Sequence, residues 1–357
     1  MERFLKLLSF KNADLAKMQN KLSIIDNFNG FWKGSLNISP QILARLKKTV
    51  IITSSGASTR IEGALLSDQE IEKLLNNIKI KKLKDRSSQE VAGYAELTKF
   101  IFDEFKNIDL TENNIKYFHS ILLKYSSKDE FHKGKYKTLS NTVIAKDSDG
   151  KESVISNPTP PYLVQKDMEE LVLFINDGFT FKKYHSLLLI SLFACEFLSI
   201  HPFQDGNGRL SRSLTNLLLL KNGFDYIKYV SLEKIIEDNK KDYYLSLRAS
   251  QKHRKKANEN LNIWINFFLD CLIKQIEFAK NILKRKDIEA ELSENQFRVL
   301  KYLKNSKKLL SIQEISVKTE INRETVKKTL KKLKILNLIT MHGLGRATRW
   351  IIYEKNL

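Results

Sequence analysis

Twelve consecutive residues, His201-Pro202-Phe203-Gln204-Asp205-Gly206-Asn207-Gly208-Arg209-Leu210-Ser211-Arg212, constrain this chain more than any other stretch. Tyr184 to Ile200 before them is apolar enough for a buried helix, and Leu214 to Lys221 after them is a second such run. The pattern therefore predicts two packed helices joined by a short polar turn. Gly206 and Gly208 permit positive φ and let the backbone approach a ligand closely. Their N–H groups, with the positive end of a helix starting near Gly208, form an anion-binding nest. Arg209 and Arg212 are three apart and can reach the same side of the first helical turn. Asp205 is a hard oxygen donor that suits Mg²⁺, and His201, ending the preceding helix, is placed as a general base. These residues predict a site for a Mg²⁺-bound polyphosphate with a base beside it. The plainer alternative is a helical corner with a capping Asp, an Asn-Gly turn and two solvated arginines. A Walker-type phosphate loop is excluded, because no Gly-Lys-Ser/Thr follows the glycines.

The string HPFQDGNGRLSR resembles the signature of the Fic family, protein adenylyltransferases that move AMP from ATP to a hydroxyl side chain. The resemblance implies His201 as the base toward a target Ser, Thr or Tyr, and Asp205 as the Mg²⁺ ligand. It implies the Gly206 turn, Asn207 and Gly208 at the phosphates, and Arg209 and Arg212 on the β- and γ-phosphates. ATP and Mg²⁺ are thus the expected substrate and cofactor. The partner is a protein with a hydroxyl side chain, the chain itself included. Ser54 to Gly63 reads by itself as a Ser-rich helical segment closed by Gly63, with Glu62 a surface carboxylate. Beside the motif, Ser58-x-x-x-Glu62-Gly63 resembles the inhibitory motif that many Fic proteins carry. A carboxylate paired with Arg212 would occupy the donor meant for the γ-phosphate.

Between Gly134 and Pro161 the hydrophobic period changes. Asn141-Thr142-Val143-Ile144 is strand-like, Asp147-Ser148-Asp149-Gly150 is a hairpin turn, and Val154-Ile155 is the return arm. In the resembling family such a flap pairs with target backbone. Tyr243, about thirty residues past the turn, matches the family's adenine-pocket segment. Gln251 stands where the family often has Asn, which leaves that contact open. His119 and His132 fit no common metal spacing and read as core or surface histidines.

Helical patterns over 11–27, 41–53, 68–80, 87–106, 111–125, 166–176, 240–252 and 258–286 make the chain mainly α, with one hairpin. Ser87-Ser88-Gln89-Glu90 has the form of a capping box. The expected domains are an N-terminal helical region (1–110) with the inhibitory helix, a Fic core (111–286) and a winged helix-turn-helix (290–357). In the last, three helical patterns precede a basic hairpin. Its 15 basic and 6 acidic residues concentrate much of the net +20 charge there. Arg323, Lys327, Lys328, Lys331, Lys332, Arg346 and Arg349 are the expected contacts to double-stranded DNA. A dimerisation or docking role for this unit is the alternative, and a homodimer is left open. Cys195 and Cys271 read as buried thiols of a reducing compartment. With no membrane-length apolar run, the expected location is cytoplasmic. The leading expectation is AMP transfer restrained by Glu62. Removal of AMP at the same site, and a nucleotide-sensing DNA-binding transcriptional regulator, are its competitors.

Overall fold

The computed structural model describes residues 1–34, 40–77, 83, 85–126, 128–141, 143–146, 152–156, 158–284, 292–306, 308–343, 345 and 348–353. In chain order the helices are α1 (Glu2–Leu7), α2 (Asn12–Gly34), α3 (Pro40–Ile61), α4 (Asp68–Asn77), α5 (Arg86–Glu104) and α6 (Glu112–Leu122). Strands β1 (Val143–Lys146) and β2 (Glu152–Ser156) follow, then α7 (Pro161–Phe181), α8 (Ser186–Ile200), α9 (Asn207–Lys221), α10 (Leu232–Asp238), α11 (Lys240–Gln251) and α12 (Asn262–Lys284). The chain closes with α13 (Glu294–Ser306), α14 (Ile312–Thr319), α15 (Arg323–Ile335), β3 (Ile339–His342) and β4 (Arg349–Ile352). It forms two compact units, Met1–Leu36 with Leu43–Lys280, and Asn37–Ile42 with Asn281–Leu357. The first runs without division across residue 110.

The first unit is built around α8. Every residue from Leu187 to Ile200 is buried, as expected of a helix that is apolar on all sides. Helices α7, α9 and α11 pack against it. Its one acid, Glu196, is 1% exposed. Arg3 and Arg254 both donate to it, which is the pairing a buried charge requires. α1 thereby fastens the start of the chain to the central helix.

Several boundaries differ from the sequence expectation. The segment at 41–53 and the Ser-rich stretch after it form one helix of 22 residues, α3, with Ser58 in its last turn and Glu62 just past its end. α5 is capped by Asp85, whose side chain accepts from Ser88 N at 2.8 Å, two residues earlier than a Ser87 box implies. α7 starts at Pro161 itself rather than near 166, since proline's missing N–H is harmless at a first helical position. β1 pairs antiparallel with β2, Ile144 opposite Val154 and Lys146 opposite Glu152, with an irregularity between Val143 and Ile144. The expected turn at 147–150 and Thr142 lie outside the described residues.

In the second unit α13, α14 and α15 enclose a core of Val299, Leu300, Leu303, Ile315, Val326, Leu330 and Leu333, with Trp350 from β4. β3 and β4 pair antiparallel from Ile339–Ile352 to His342–Arg349. Arg323, Lys327, Lys328 and Lys331 are exposed on α15, while Lys332 and Arg349 are half-buried. Arg346 lies outside the described residues. Among the described residues no helix is long and apolar enough to cross a membrane.

Candidate active site

The polar turn is held from three sides. His201 caps α8 in the left-handed region (φ 53°, ψ 60°) and donates its backbone N–H to Phe197 O at 2.9 Å. Gly206, at φ 78°, is the N-cap of α9 and supplies no side-chain cap, so the first N–H groups of α9 remain available to a ligand. The Asn207 amide staples the turn: Phe203 N donates to its Oδ1 at 2.9 Å and its Nδ2 donates to Phe203 O at 2.8 Å. Its side chain is thereby committed to the loop, leaving its backbone for the pocket.

Residues distant in sequence complete the corner. His119 is fully buried and stacks on Phe203 with ring centroids 3.9 Å apart. Gly134 N donates to its Nδ1, so the proton sits on Nε2, which donates to Asp205 O at 3.0 Å. Lys137 donates its backbone N–H to Pro202 O and its ammonium to Asn141 Oδ1 and Ile200 O. Asn141 in turn donates to Phe203 O at 3.2 Å. Asn141 is therefore an anchor between turn and hairpin rather than a strand residue. The sequence reading of His119 as a core histidine fits its burial, but its partner at the turn, and the role of Lys137, leave no local signal in the sequence.

His201, Asp205, Gly206, Asn207, Gly208 and Arg209 line one pocket with Glu62, Gly63, Arg86 and Glu90, about 380 Å³ in volume. His201 Nδ1 faces Leu198 O at 3.3 Å, so Nδ1 carries the proton and Nε2 is the basic nitrogen. Burial pushes the His201 pKa down to about 4, helped by the Lys137 charge, and the imidazole is neutral near pH 7. Despite partial burial, Asp205 is held below the usual carboxylate range by Arg209, the Gly206 N–H and Arg86. Arg209 Nε and Nη1 are buried without a hydrogen-bond partner, although Nη1 lies 3.5 Å from Glu90 Oε1.

Arg212 lies behind this wall and joins the pocket through Glu62. It donates Nε to Ser58 Oγ and Nη2 to Ser58 O, each at 2.8 Å, and Nη2 also to Glu62 Oε1 at 2.8 Å. Glu62 also lies over the start of α9: a Cβ built on Gly208 would come within 2.2 Å of its Oε1. Gly208 must be glycine for that carboxylate to sit there. One turn and two turns back on α3, Ser58 and Ser54 repeat the spacing of four. Ser54 Oγ donates to buried Glu233, which also accepts from Tyr94 OH and Asn216. The Ser54, Ser58, Glu62 stripe is legible in sequence as an i, i+4, i+8 series, although only its last two members were singled out.

Tyr243 is not brought to the pocket. Its ring is buried against Tyr244, Trp264 and Phe267, with centroids 5.1 to 6.0 Å away, and lines a small cavity together with Arg212. Helical aromatic spacing here serves the core. Gln251 is likewise buried and donates to Ser199 Oγ at 3.0 Å. Both cysteines are buried and free.

A model of the Fic/DOC family matches residues 109–219. The chain is 31% identical over 103 residues to a Fido domain-containing protein of Dictyostelium discoideum, spanning 29% of this chain and 68% of that protein. The chain belongs to the Fic/DOC family. It is also 34% identical over 126 residues to a probable protein adenylyltransferase of Aquifex aeolicus (strain VF5), over 35% of this chain and 36% of that relative. Family members named in this way support a transferase at the level of the Fic/DOC family. A crystal structure of a Fic family protein from Desulfovibrio desulfuricans G20 shares the fold, with a TM-score of 0.62 and 21% identity over 98% of this chain and 99% of that one.

His119 and His201 are both held near pKa 4, chiefly by burial. The unfolded chain takes up a proton at each near pH 6.5, the folded one only near pH 4. Stability is therefore fully present above pH 6.5 and falls as pH drops from 6.5 toward 4. Urea unfolding in metal-free buffer should show this loss, with a slope of up to about one proton per histidine. His119→Gln should flatten it, and a level wild-type profile in that window would contradict the burial argument.

Proposed function

We propose that this Fic/DOC chain is a Mg²⁺- and ATP-dependent protein adenylyltransferase that moves AMP to a Ser, Thr or Tyr hydroxyl and is restrained by Glu62. The observation that carries the reading is the 2.8 Å pair between Glu62 and Arg212 above the Gly208 backbone, across a pocket that also holds the neutral base His201.

In this reading His201 Nε2 takes the proton of the incoming hydroxyl. The hydroxyl oxygen forms a bond to the α-phosphorus as the bond from that phosphorus to the bridging oxygen breaks, and pyrophosphate leaves with the electron pair. The α9 N–H groups and Arg209 orient the polyphosphate, and Arg212, once free of Glu62, holds its γ end. Such positioning and electrostatic stabilisation supply most of the rate. Among the described residues no group of three His, Cys, Asp or Glu forms a metal cage. One carboxylate beside a phosphate nest suits a cation that arrives with its nucleotide. Asp205 would hold that Mg²⁺, which supplies charge neutralisation at the phosphates. The hairpin of β1 and β2, anchored to the turn through Asn141, is the surface proposed to align the target segment.

Glu62→Gly should raise ATP-dependent labelling of the chain or a target by about a hundredfold, the scale of a 1 Å misalignment relieved. His201→Ala in that background should lower it by about 10²–10⁴ while nucleotide binding persists. Arg212→Ala should not mimic Glu62→Gly, because it removes the γ-phosphate anchor together with the inhibitor's partner. Intact mass spectrometry with ATP and Mg²⁺ reads all three as gain of an adenylyl group. Labelling by Glu62→Gly no stronger than wild type on any substrate sinks the restraint, and loss of AMP from a premodified protein favours the reverse reaction.

We further propose that the second unit binds double-stranded DNA through α15, on the strength of the exposed Arg323, Lys327, Lys328 and Lys331. Mobility-shift affinity should fall steeply with salt, and Lys327→Glu with Lys328→Glu should reduce the log–log salt slope by about one per lost phosphate contact. Absence of any shift at low salt points instead to a protein-docking unit.

A further inference from the structure

A square of alternating charge stands on the pocket wall. Asp205 Oδ2 accepts from Arg209 Nη2 and from Arg86 Nη2, each at 3.1 Å. Glu90 Oε1 accepts from Arg86 Nε at 2.7 Å and lies 3.5 Å from Arg209 Nη1. Two acids and two bases close on one another, and their formal charges cancel. All four line the pocket that holds His201 and Glu62. The corners are unequal: the Arg209 side chain is 2% exposed and that of Glu90 13%, whereas Arg86 is 62% exposed. Arg86 is also the first residue of α5, so its side chain can swing into water without disturbing packing.

Resting on the nucleotide reading above, we infer that Arg86 is a built-in competitor of the divalent cation at Asp205. A hard cation of Mg²⁺ size binds a carboxylate oxygen at about 2.0–2.1 Å. The guanidinium already occupies that same oxygen, and a dication there would face a like charge a few ångströms away. Arg209 cannot yield, being buried and paired. Arg86 can, because it is exposed and keeps Glu90 as an i, i+4 partner. A cation arriving alone must displace a charge from an already neutral square. A cation arriving with a polyphosphate brings compensating negative charge, which Arg209 can take up through Nε, a buried nitrogen without a hydrogen-bond partner. Arg86 therefore biases the site against free divalent cations and toward the cation–nucleotide pair. Glu90 is the positioning residue that keeps both guanidinium groups on the wall.

Calorimetric binding of α,β-methylene-ATP across a Mg²⁺ series, using the full chain, tests this without turnover. Arg86→Gln should lower the Mg²⁺ concentration for half-maximal nucleotide binding by about two- to fivefold, the range for a largely exposed ion pair. Its affinity at saturating Mg²⁺ should match wild type, and Mn²⁺ alone should bind more tightly to it by electron paramagnetic resonance. Arg86→Lys, which keeps the charge, should restore a wild-type-like Mg²⁺ requirement. An unchanged requirement in Arg86→Gln with nucleotide binding intact overturns the inference alone. Weaker nucleotide binding by Arg86→Gln at saturating Mg²⁺ also overturns it, by making Arg86 a phosphate ligand. No nucleotide binding by wild type or Glu62→Gly at any Mg²⁺ concentration removes the nucleotide reading and this inference together.

Discussion

The Arg212 guanidinium is almost wholly buried, and a buried charge must find partners or unfold its surroundings. Those partners do not come from its own helix. Ser58 takes two of its N–H groups and Glu62 takes a third contact; Ser58 lies in the last turn of α3 and Glu62 directly follows it, about 150 residues earlier in the chain. One unsatisfiable charge thus dictates where the end of α3 must lie. Ser54, two turns back from Glu62, is fastened to buried Glu233, so the helix is held along a stripe rather than at one point. Helix α3 cannot be read as an appendage to the catalytic corner, since it completes the electrostatics of that corner.

The same logic explains why the corner carries more charge than its own hydrogen bonds can satisfy. Arg212 Nη1 and two nitrogens of Arg209 remain without a hydrogen-bond partner though buried. A stable scaffold would replace such groups by apolar ones at little cost. Their retention is intelligible when the missing partner is a polyphosphate, and α9 presents its uncapped N–H groups to the same space. His119 and Asn207 contribute differently. Each is spent wholly on loop backbone, and together they fix Asp205 and Phe203 without facing a ligand. The site is divided between side chains that rigidify the turn and side chains left unsatisfied by it.

How far the sequence could be read follows this division. The contiguous turn was legible because His201, Asp205, the glycines and the arginines all lie within twelve residues, and backbone rules act locally. Helices were legible where apolar periodicity was long, as in α8, and their ends were not, as the shift from Ser87 to Asp85 at the cap of α5 shows. Tyr243 was ambiguous because helical aromatic spacing is the same for a core face and a ligand face, and its ring packs on Trp264 and Phe267. His119, Lys137, Arg86, Glu90 and Glu233 were beyond reach for one reason. Each acts through a partner brought close only by the fold, and no local pattern records such a meeting.

Gly208 ties these strands together. A side chain there would collide with the Glu62 carboxylate, which comes within 2.2 Å of where a Cβ would stand. Phosphate binding at a helix N-terminus asks for the same open backbone. In the proposed reading one glycine would admit two different anions, the chain's own carboxylate and a ligand's phosphate, to nearly the same place. In that reading, any substitution that kept Glu62 out would also crowd the nucleotide, so the two could not be separated at this position. They can be separated at Glu62 itself, where a change of side chain leaves the backbone nest untouched. The carboxylate is also the more accessible half of the pair, with its side chain 36% exposed against 4% for Arg212. If the pair opens, Glu62 is the group that can move into water, while the buried guanidinium stays on the wall with Ser58 still bonded to it.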